Sequence, residues 1–494
     1  MRSTFFGLEI GKRGLQTQQF ALEVTGHNIA NANTPGFTRQ EAVMSTTAPF
    51  PTPSLNRAAG AGQVGTGVDI TEIRRMRDNF LDMQMRGESR SLGYWEAQSD
   101  ILAKIEGIVN EPSESGLRTV MENLWKAVEA LSNDPESLAA RSLVTERAKS
   151  LAETFNYLDT KMNELTTDLN STLQTRVDEV NSLGRQIADL NQQILKVEVT
   201  DANANDLRDK RDYLVDQLAK IIDIRVSEDQ RGTVTITTSG RPLVQGERSS
   251  ELVLGYVTGD TDQLYPEIYW ADDTVQSVPL DISGGYIRGV IDARGRWDEG
   301  DSKGVGFIPA FREHLDTLAR EFAGEFNAIH QGGFDLDGIG GDVFFKAKDG
   351  ASDISAGNIA VNELLLADPR KIAAALLDAD GAFNKGDGHN ALELAQLKQK
   401  KIHELGDFTP EDYYSALIGE LGVTAQEAYR MADNQELLVS QIESNRQSVS
   451  GVSLDEEIVN MIRFQHAYSA ASRLITVMDE MIDLVINRMG LVGR

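Results

Sequence analysis

Six histidines, His27, His314, His330, His389, His403 and His466, are the residues with which this chain would do metal or proton chemistry, and no two stand at metal-ligand spacing. His403 and Glu404 open the pattern in which two histidines one helical turn apart hold zinc and a glutamate activates water. Position 407 is Asp where the second histidine belongs, so the pattern fails. DLDGIGGD over 335–342 begins like a calcium loop, but Ile339 takes the third ligand's place and Lys346 that of the bidentate glutamate, so a tight polar turn is expected. GAGQVGTGV over 60–68 lacks the lysine and hydroxyl of a phosphate cradle, and its glycines suit backbone bends. In LRDKRD, 207–212, Arg208 and Asp212 stand four apart on an amphipathic helix, which predicts a solvated, salt-bridged face. Cysteine is absent, which excludes disulfides, thiolate catalysis and sulfur-bound zinc. No nucleophile with an adjacent base stands out, and 223–299 contain no histidine. The sequence therefore predicts no enzyme, no metal site and no cofactor.

With chemistry of that kind set aside, composition narrows the partners. Seventy-six acidic against forty-eight basic residues give a net charge of −28, which repels phosphate backbones and anionic lipid surfaces. Nucleic acid is thus an unexpected partner. No run of eighteen apolar residues is present, and the first twenty residues lack the apolar segment and cleavage site of a secretory signal, so neither membrane insertion nor conventional secretion is expected. At 494 residues the chain has room for roughly three domains.

Periodicity places the elements. Leu8, Leu15, Leu22 and Ile29 step by seven along a helix predicted over 3–32, which Gly7, Gly11 and Gly14 weaken. At the other end Leu454, Ile458, Met461, Phe464, Tyr468, Ala471, Ile475, Met478, Ile482, Val485 and Met489 alternate by four and three, the seam of a long helix. Two such stripes at opposite ends of the chain are expected to lie side by side as a coiled coil. Between them, 92–222 read as helical, with one very long helix over about 136–199 that carries a stutter at Leu173 and Val177. From 224 to 297 the period falls to two, predicting a small all-β insertion, and helical pattern returns at 308–329 and 410–449. The expected fold is mainly α with that small all-β insertion, elongated and multidomain. Its parts are a terminal domain of 1–45 and 453–494, a helical-bundle middle domain of 46–222 and 300–452, and an outer β-rich domain of 223–299.

One stretch connects these parts. In NIANANTPGFTRQ, 28–40, Pro35 and Gly36 suit the centre of a type II turn, and Thr34 before the proline is pushed out of helical geometry. Asn31 and Asn33 suit a left-handed helix cap with side chains free to bond open backbone ends. The first helix is thus expected to stop here and the chain to leave as an extended arm, with a proline- and glycine-rich linker over 46–68.

This stretch, with VGTGVDITEIRRMRDNFL and the terminal EEIVNMIRFQHAYSAASRLITVMDEMIDLVIN, resembles the termini of bacterial flagellar axial proteins. ANDLRDKRDYLVDQLAKIIDIRVSEDQRGTVTITTSGRPLVQG and SGVSLDEE, 450–457, are similar to the family of hook-associated protein 1, at the hook–filament junction. The resemblance implies a structural subunit exported unfolded, without a cleavable signal peptide, by the flagellar type III apparatus to the extracellular flagellum. It further implies a ring of like subunits between hook protein and the second junction protein, with an export chaperone on the C-terminal helix. The assembly interface is then expected at Leu8, Leu15, Leu22 and Ile29, at Asn28, Asn31, Asn33, Pro35, Gly36 and Phe37, and at Ile458, Met461, Phe464, Tyr468, Ile475, Met478, Ile482 and Val485. Hook protein and the second junction protein share the terminal pattern and are the nearest alternatives; a surface adhesin acting through the β insertion is a more distant one. Because two amphipathic helices alone leave apolar sides uncovered, both ends are expected to fold on assembly.

Overall fold

The computed structural model describes residues 5–50, 63–200, 202–229, 231–259, 264–273, 278–298, 300, 303–348, 350–351, 353–378 and 381–488. The helices are α1 (Phe6–Asn31), α2 (Asn79–Val109), α3 (Leu117–Asn133), α4 (Leu138–Glu198), α5 (Asn205–Ile221), α6 (Tyr286–Arg294), α7 (Phe307–Gly332), α8 (Glu363–Ala367), α9 (His389–Gln396), α10 (Pro410–Ser450) and α11 (Leu454–Asp483). Met489, the last position of the predicted seam, and 51–62 of the linker lie outside the described residues. The chain is mostly helical, with small antiparallel sheets. It divides into two compact units, one of 1–90, 179–251 and 436–494 and one of 91–178 and 252–435; α2, α4 and α10 contribute to both.

In the first unit the chain leaving α1 forms strand β1 (Gln40–Thr46), which pairs antiparallel with β2 (Val68–Arg75). The predicted arm is therefore a two-stranded ribbon, a pairing that an alternation of threonine, valine and charge did not announce. Strands β3 (Arg225–Glu228), β4 (Val234–Thr238), β5 (Arg241–Gln245) and β6 (Arg248–Ser249) make an antiparallel meander. Asn191 of α4 anchors it: the fully buried amide donates to the carbonyls of Val234 and Gly246 and accepts from the Val234 N–H. One side chain thereby satisfies backbone groups at the sheet's end that burial would otherwise leave unpaired.

In the second unit α4 buries Leu151, Phe155, Leu158, Met162, Leu165, Leu169, Leu173 and Val177, so the stutter lies within a continuous buried stripe. Phe322 and Phe326 of α7 pack with Phe344 and Phe345 and with Trp125 of α3. Beneath them His330 is fully buried; its Nδ1 donates to the Asp342 carbonyl at 2.7 Å and its Nε2 accepts from the Ala373 N–H at 2.9 Å. That neutral ring is a structural element, and burial lowers its pKa to about 4. Strands β7 (Leu252–Thr258) and β8 (Leu264–Trp270), β9 (Arg296–Asp298) and β10 (Lys303–Val305), and β11 (Phe345–Ala347) and β12 (Ile359–Val361) form separate pairs. The segment read as all-β is not entirely so: α6 lies within it. Its apolar positions, Ile287, Val290 and Ile291, follow helical spacing between Gly285 and Gly295, and the run is too short to outweigh the strands around it.

Candidate functional site at the convergence of three sequence motifs

The turn after α1 has the geometry its residues dictate. Phe37 donates its N–H to the Thr34 carbonyl at 3.1 Å, and Gly36 between them takes φ = +77°, as the third residue of a type II turn must. A Cβ on Gly36 would stand 2.8 Å from Cβ of Tyr213 in α5, so both backbone angle and space demand glycine. Neither Asn31 nor Asn33 adopts the left-handed cap expected of it, because the turn itself ends the helix. Asn31 instead bonds back, donating to the His27 carbonyl and accepting from the Thr34 hydroxyl. Asn33 and Pro35 are exposed, and Phe37 is half-buried with its ring edge-on to His27.

Three residues before that, Asn28 ties the helix to the ribbon. Its amide donates to the Gln40 carbonyl at 2.9 Å and accepts from the Gln40 N–H at 3.0 Å, mimicking a strand neighbour. The same Nδ2 donates to Oε2 of Glu457 at 3.2 Å, and Oε1 of Glu457 accepts from Nε of Arg39 at 2.8 Å. Glu457 is only 2 % exposed, so the carboxylate is stabilised by these charge-assisted bonds rather than by water. Arg39 also donates its backbone N–H to the Ser450 carbonyl at the end of α10 and pairs with Glu456. Ser453 caps α11 by accepting from the Glu456 N–H, which places the two glutamates of SGVSLDEE against the arginine of TPGFTRQ.

LRDKRD is the third motif, and here the expectation of a solvated face is overturned. Asp209, Arg211 and Asp212 are buried, and Arg208 pairs not with Asp212 but with Glu198 and Glu228. Asp212 accepts from Arg75 at 2.8 Å and lies 3.1 Å from Arg77, while Asp209 accepts from Arg75 and from the Thr38 N–H. Asp82 and Asp216 extend the network to Arg77, Arg86 and Arg446. The i, i+4 spacing was compatible with a surface pair, but the arginines that compete for Asp212 come from more than 130 residues away. Burial pushes the Asp212 carboxyl up, and Arg77, Arg75 and Arg211 more than offset that, leaving it below the usual carboxylate range. At Asp209 burial outweighs Arg75, and the carboxyl lies above that range. The turn, α5 and the end of α10 also wall an open cleft of about 900 Å³.

Beyond this node α1 packs along α11 through its small residues. A Cβ on Gly7 would lie 2.7 Å from the Met478 sulfur, and one on Gly11 2.7 Å from Cγ1 of Ile475; Gly14 faces Ala471. The glycines that weaken α1 as a helix thus let α11 approach, as small residues do in close helix pairs. Leu8, Leu15, Leu22 and Ile29 are half-buried beside this seam rather than on it. On α11 the predicted stripe of Met461, Phe464, Tyr468, Ile475, Met478 and Ile482 is half-buried, whereas Ile458 and Val485 are exposed. A second stripe, unanticipated, stands open: Leu474, Val477, Met481 and Leu484 are 38, 44, 55 and 51 % exposed at helical spacing. Among the described residues no cluster of His, Asp and Glu is arranged to hold a metal, and no helix is long and apolar enough to cross a membrane.

The terminal helices lie along one another and are tied to the ribbon and to α5 through this polar node, and sequence comparison gives the class of the chain. Residues 8–38 match the flagella basal body rod protein family, and 443–489 match the C-terminal family of the flagellar basal body rod FlgEFG proteins, which together mark a flagellar axial protein. Residues 102–345 match the helical domain of the flagellar hook-associated protein FlgK. The chain belongs to the flagellar hook-associated protein 1 family: it is 39 % identical to flagellar hook-associated protein 1 of Bacillus subtilis over the whole of both chains. It is 26 % identical to that of Escherichia coli, over 96 % of this chain and 98 % of the relative. The flagellar hook junction protein FlgK from Burkholderia pseudomallei shares the fold, with a TM-score of 0.62 at 17 % identity over 74 % of this chain and 100 % of that one.

Proposed function

We propose that this chain is a structural subunit of the junction between hook and filament, assembling through α1 and α11 into a ring of like subunits. Hook protein lies on one side of the ring and the second hook-associated junction protein on the other. The observation that carries this reading is the open stripe of α11. Among the described residues nothing covers Leu474, Val477, Met481 and Leu484 enough to remove them from water, and burying each large apolar side chain is worth about 1.5–3 kcal/mol. Neighbouring subunits supply that cover. Family membership and the likeness to the flagellar hook junction protein of Burkholderia support the location. The 1–45 and 453–494 segments serve as the inner domain, with the rest of the chain outside it. Before assembly the same stripe is the surface an export chaperone masks, and the subunit leaves through the type III apparatus.

Electron microscopy of flagella from a strain lacking the gene tests the assignment: hooks without filaments, with filament protein released to the medium, are expected. Normal filaments on such cells would reject it. Val477→Glu and Met481→Glu should reproduce the deletion while leaving the purified monomer as stable as the parent.

A further inference from the structure

We propose that the outer edge of β7 is a pairing edge for a second copy of this chain, which adds its own β7 antiparallel so that Tyr256 stands opposite Tyr256 of that copy. Nothing in this pairing depends on the terminal helices.

β7 belongs to a sheet of two strands, so one of its edges faces away from β8. The register fixes which residues look that way. Leu254, Tyr256 and Thr258 stand opposite Ile268, Pro266 and Leu264. Ile268 gives its carbonyl to the Leu280 N–H and Leu264 gives its own to Arg294, so both turn away from β7. Pro266 between them has no N–H to give. In an antiparallel pair, opposed residues alternately exchange both hydrogen bonds and turn both aside. Leu254, Tyr256 and Thr258 therefore point their N–H and C=O groups outward, and among the described residues none of these groups finds a backbone partner.

An open ladder invites another strand, and folded proteins blunt such edges with charge, proline or brevity. Other strands of this chain carry that charge: Glu41 on β1, Arg74 on β2, Glu228 on β3, Arg296 on β9 and Lys303 on β10. β7 reads LVLGYVT, seven residues without charge or proline, and it pairs with β8 without a bulge. A chain of net charge −28 repels its own copies over most of its surface, so an uncharged strand is where two of them can approach. Tyr256 is 45 % exposed, Thr258 is exposed and Leu254 half-buried. Antiparallel addition centred on Tyr256 sets Leu254 against Thr258 and brings the two tyrosine rings together, a favourable cross-strand pair. Gly255 beside them lets a second backbone come close. Leu252, fully buried, stays outside the new ladder. Such a twofold contact closes at two copies, which separates it from the contacts of a ring.

The chain has no cysteine, so one introduced at a time reports its own neighbour. The full chain carrying Met481→Glu, which closes off the stripe of α11, should still sediment as a dimer at high concentration. In that chain Tyr256→Cys should form a disulfide-linked dimer, because residues opposed in such a ladder have Cα atoms about 5.5 Å apart, within disulfide reach. It should do so at least about tenfold faster than Val423→Cys, an exposed site in the same unit, since pairing replaces random collision. Leu254→Cys and Thr258→Cys should cross-link to each other in a mixture faster than either does alone. Tyr256→Glu and Tyr256→Lys should each be monomeric, and an equal mixture of the two should regain the dimer, which also shows that both fold. A monomer at every concentration once Met481→Glu is present, cross-linking at 256 no faster than at 423, or no recovery in the mixture overturns the pairing. So does slow hydrogen exchange at the 254, 256 and 258 amides of the monomer, which would mean that the edge is already covered within its own chain.

Discussion

Asp212→Asn is the substitution that decides whether LRDKRD is a buried clamp or a surface face. The side chain is 10 % exposed and serves three arginines, Arg75 at 2.8 Å, Arg77 at 3.1 Å and Arg211 at 3.6 Å. Removing one partner of a buried ion pair costs about 3–5 kcal/mol when the other is stranded. Here no arginine is stranded completely, because Arg75 keeps Asp209, Arg77 keeps Asp82 and Arg211 keeps Glu228. The expected loss is therefore about 2–3 kcal/mol, at or below the low end of that range. For a cooperative unit of this size it corresponds to a fall in Tm of roughly 5–10 °C. Urea unfolding followed by exchange at 36–46 and 68–77 reads the loss where the ribbon meets α5. An exposed i, i+4 pair would cost no more than about 0.5 kcal/mol. A measured loss that small, or the same loss when Arg77 is already Met, would refute the clamp. The pH dependence has a definite sign. Asp212 is held below the usual carboxylate range, so its contribution is present above a pH of about 4, the unfolded value, and is lost as pH falls through the folded one. Asp209, raised by burial, acts in the opposite direction. Asp212→Asn should flatten the acid limb of the unit's stability.

Three further outcomes are expected. Gly11→Ala should raise the helicity of an isolated α1 peptide, since glycine costs about 0.8–1 kcal/mol against alanine, yet weaken assembly of the full chain, because the new Cβ meets Cγ1 of Ile475 at 2.7 Å. Circular dichroism of the peptide and sedimentation of assembled protein read the two effects, and a gain in both would reject the close-approach role. His330, buried and neutral with its pKa lowered to about 4, withholds a proton that the unfolded chain takes up from about 6.5. The second unit should therefore lose about 3 kcal/mol between those two pH values, and His330→Asn should remove that slope in thermal melts. Arg141, 1 % exposed, donates to the carbonyls of Pro135, Arg370 and Ile372, so Arg141→Met should cost about 3 kcal/mol or more by leaving buried carbonyls unpaired; unchanged urea unfolding would contradict it.

Long periodic elements were legible and their distant polar partners were not. The 61 residues of α4 and the seam of α11 follow directly from apolar spacing, because a helix declares its buried face locally. The type II turn was equally legible, since proline and glycine fix their own dihedral angles. What failed depends on residues far apart in sequence. Asp212 reads as a surface residue until Arg75 and Arg77 are brought to it, and Glu457 looks like any first-turn glutamate of a helix until Asn28 and Arg39 arrive. The signal that could have pointed to them was the recurrence of unpaired polar residues within otherwise ordered motifs, Asn28 on α1 and the two glutamates after Ser453. The leucine stripe of α1 misdirected in another way: it marks an apolar side, but the glycine side is where another helix comes closest.

Under the proposed assembly, that separation of roles suits a subunit stable alone and still incomplete. If leucines filled the α1–α11 seam, the pair would satisfy itself and leave nothing for a neighbour. With glycines in the seam, Ile475 and Met478 of α11 come close to the α1 backbone, while the leucines of α1 stay half-buried beside them and Leu474, Val477, Met481 and Leu484 of α11 stay open. Polar bonds, which demand geometry and give little when their partners are displaced, are concentrated at the base, where direction must be set. Apolar surface, which tolerates any well-fitting partner, runs the length of α11, with Ile458, Val459 and Ile462 as exposed as Leu474 and Val477.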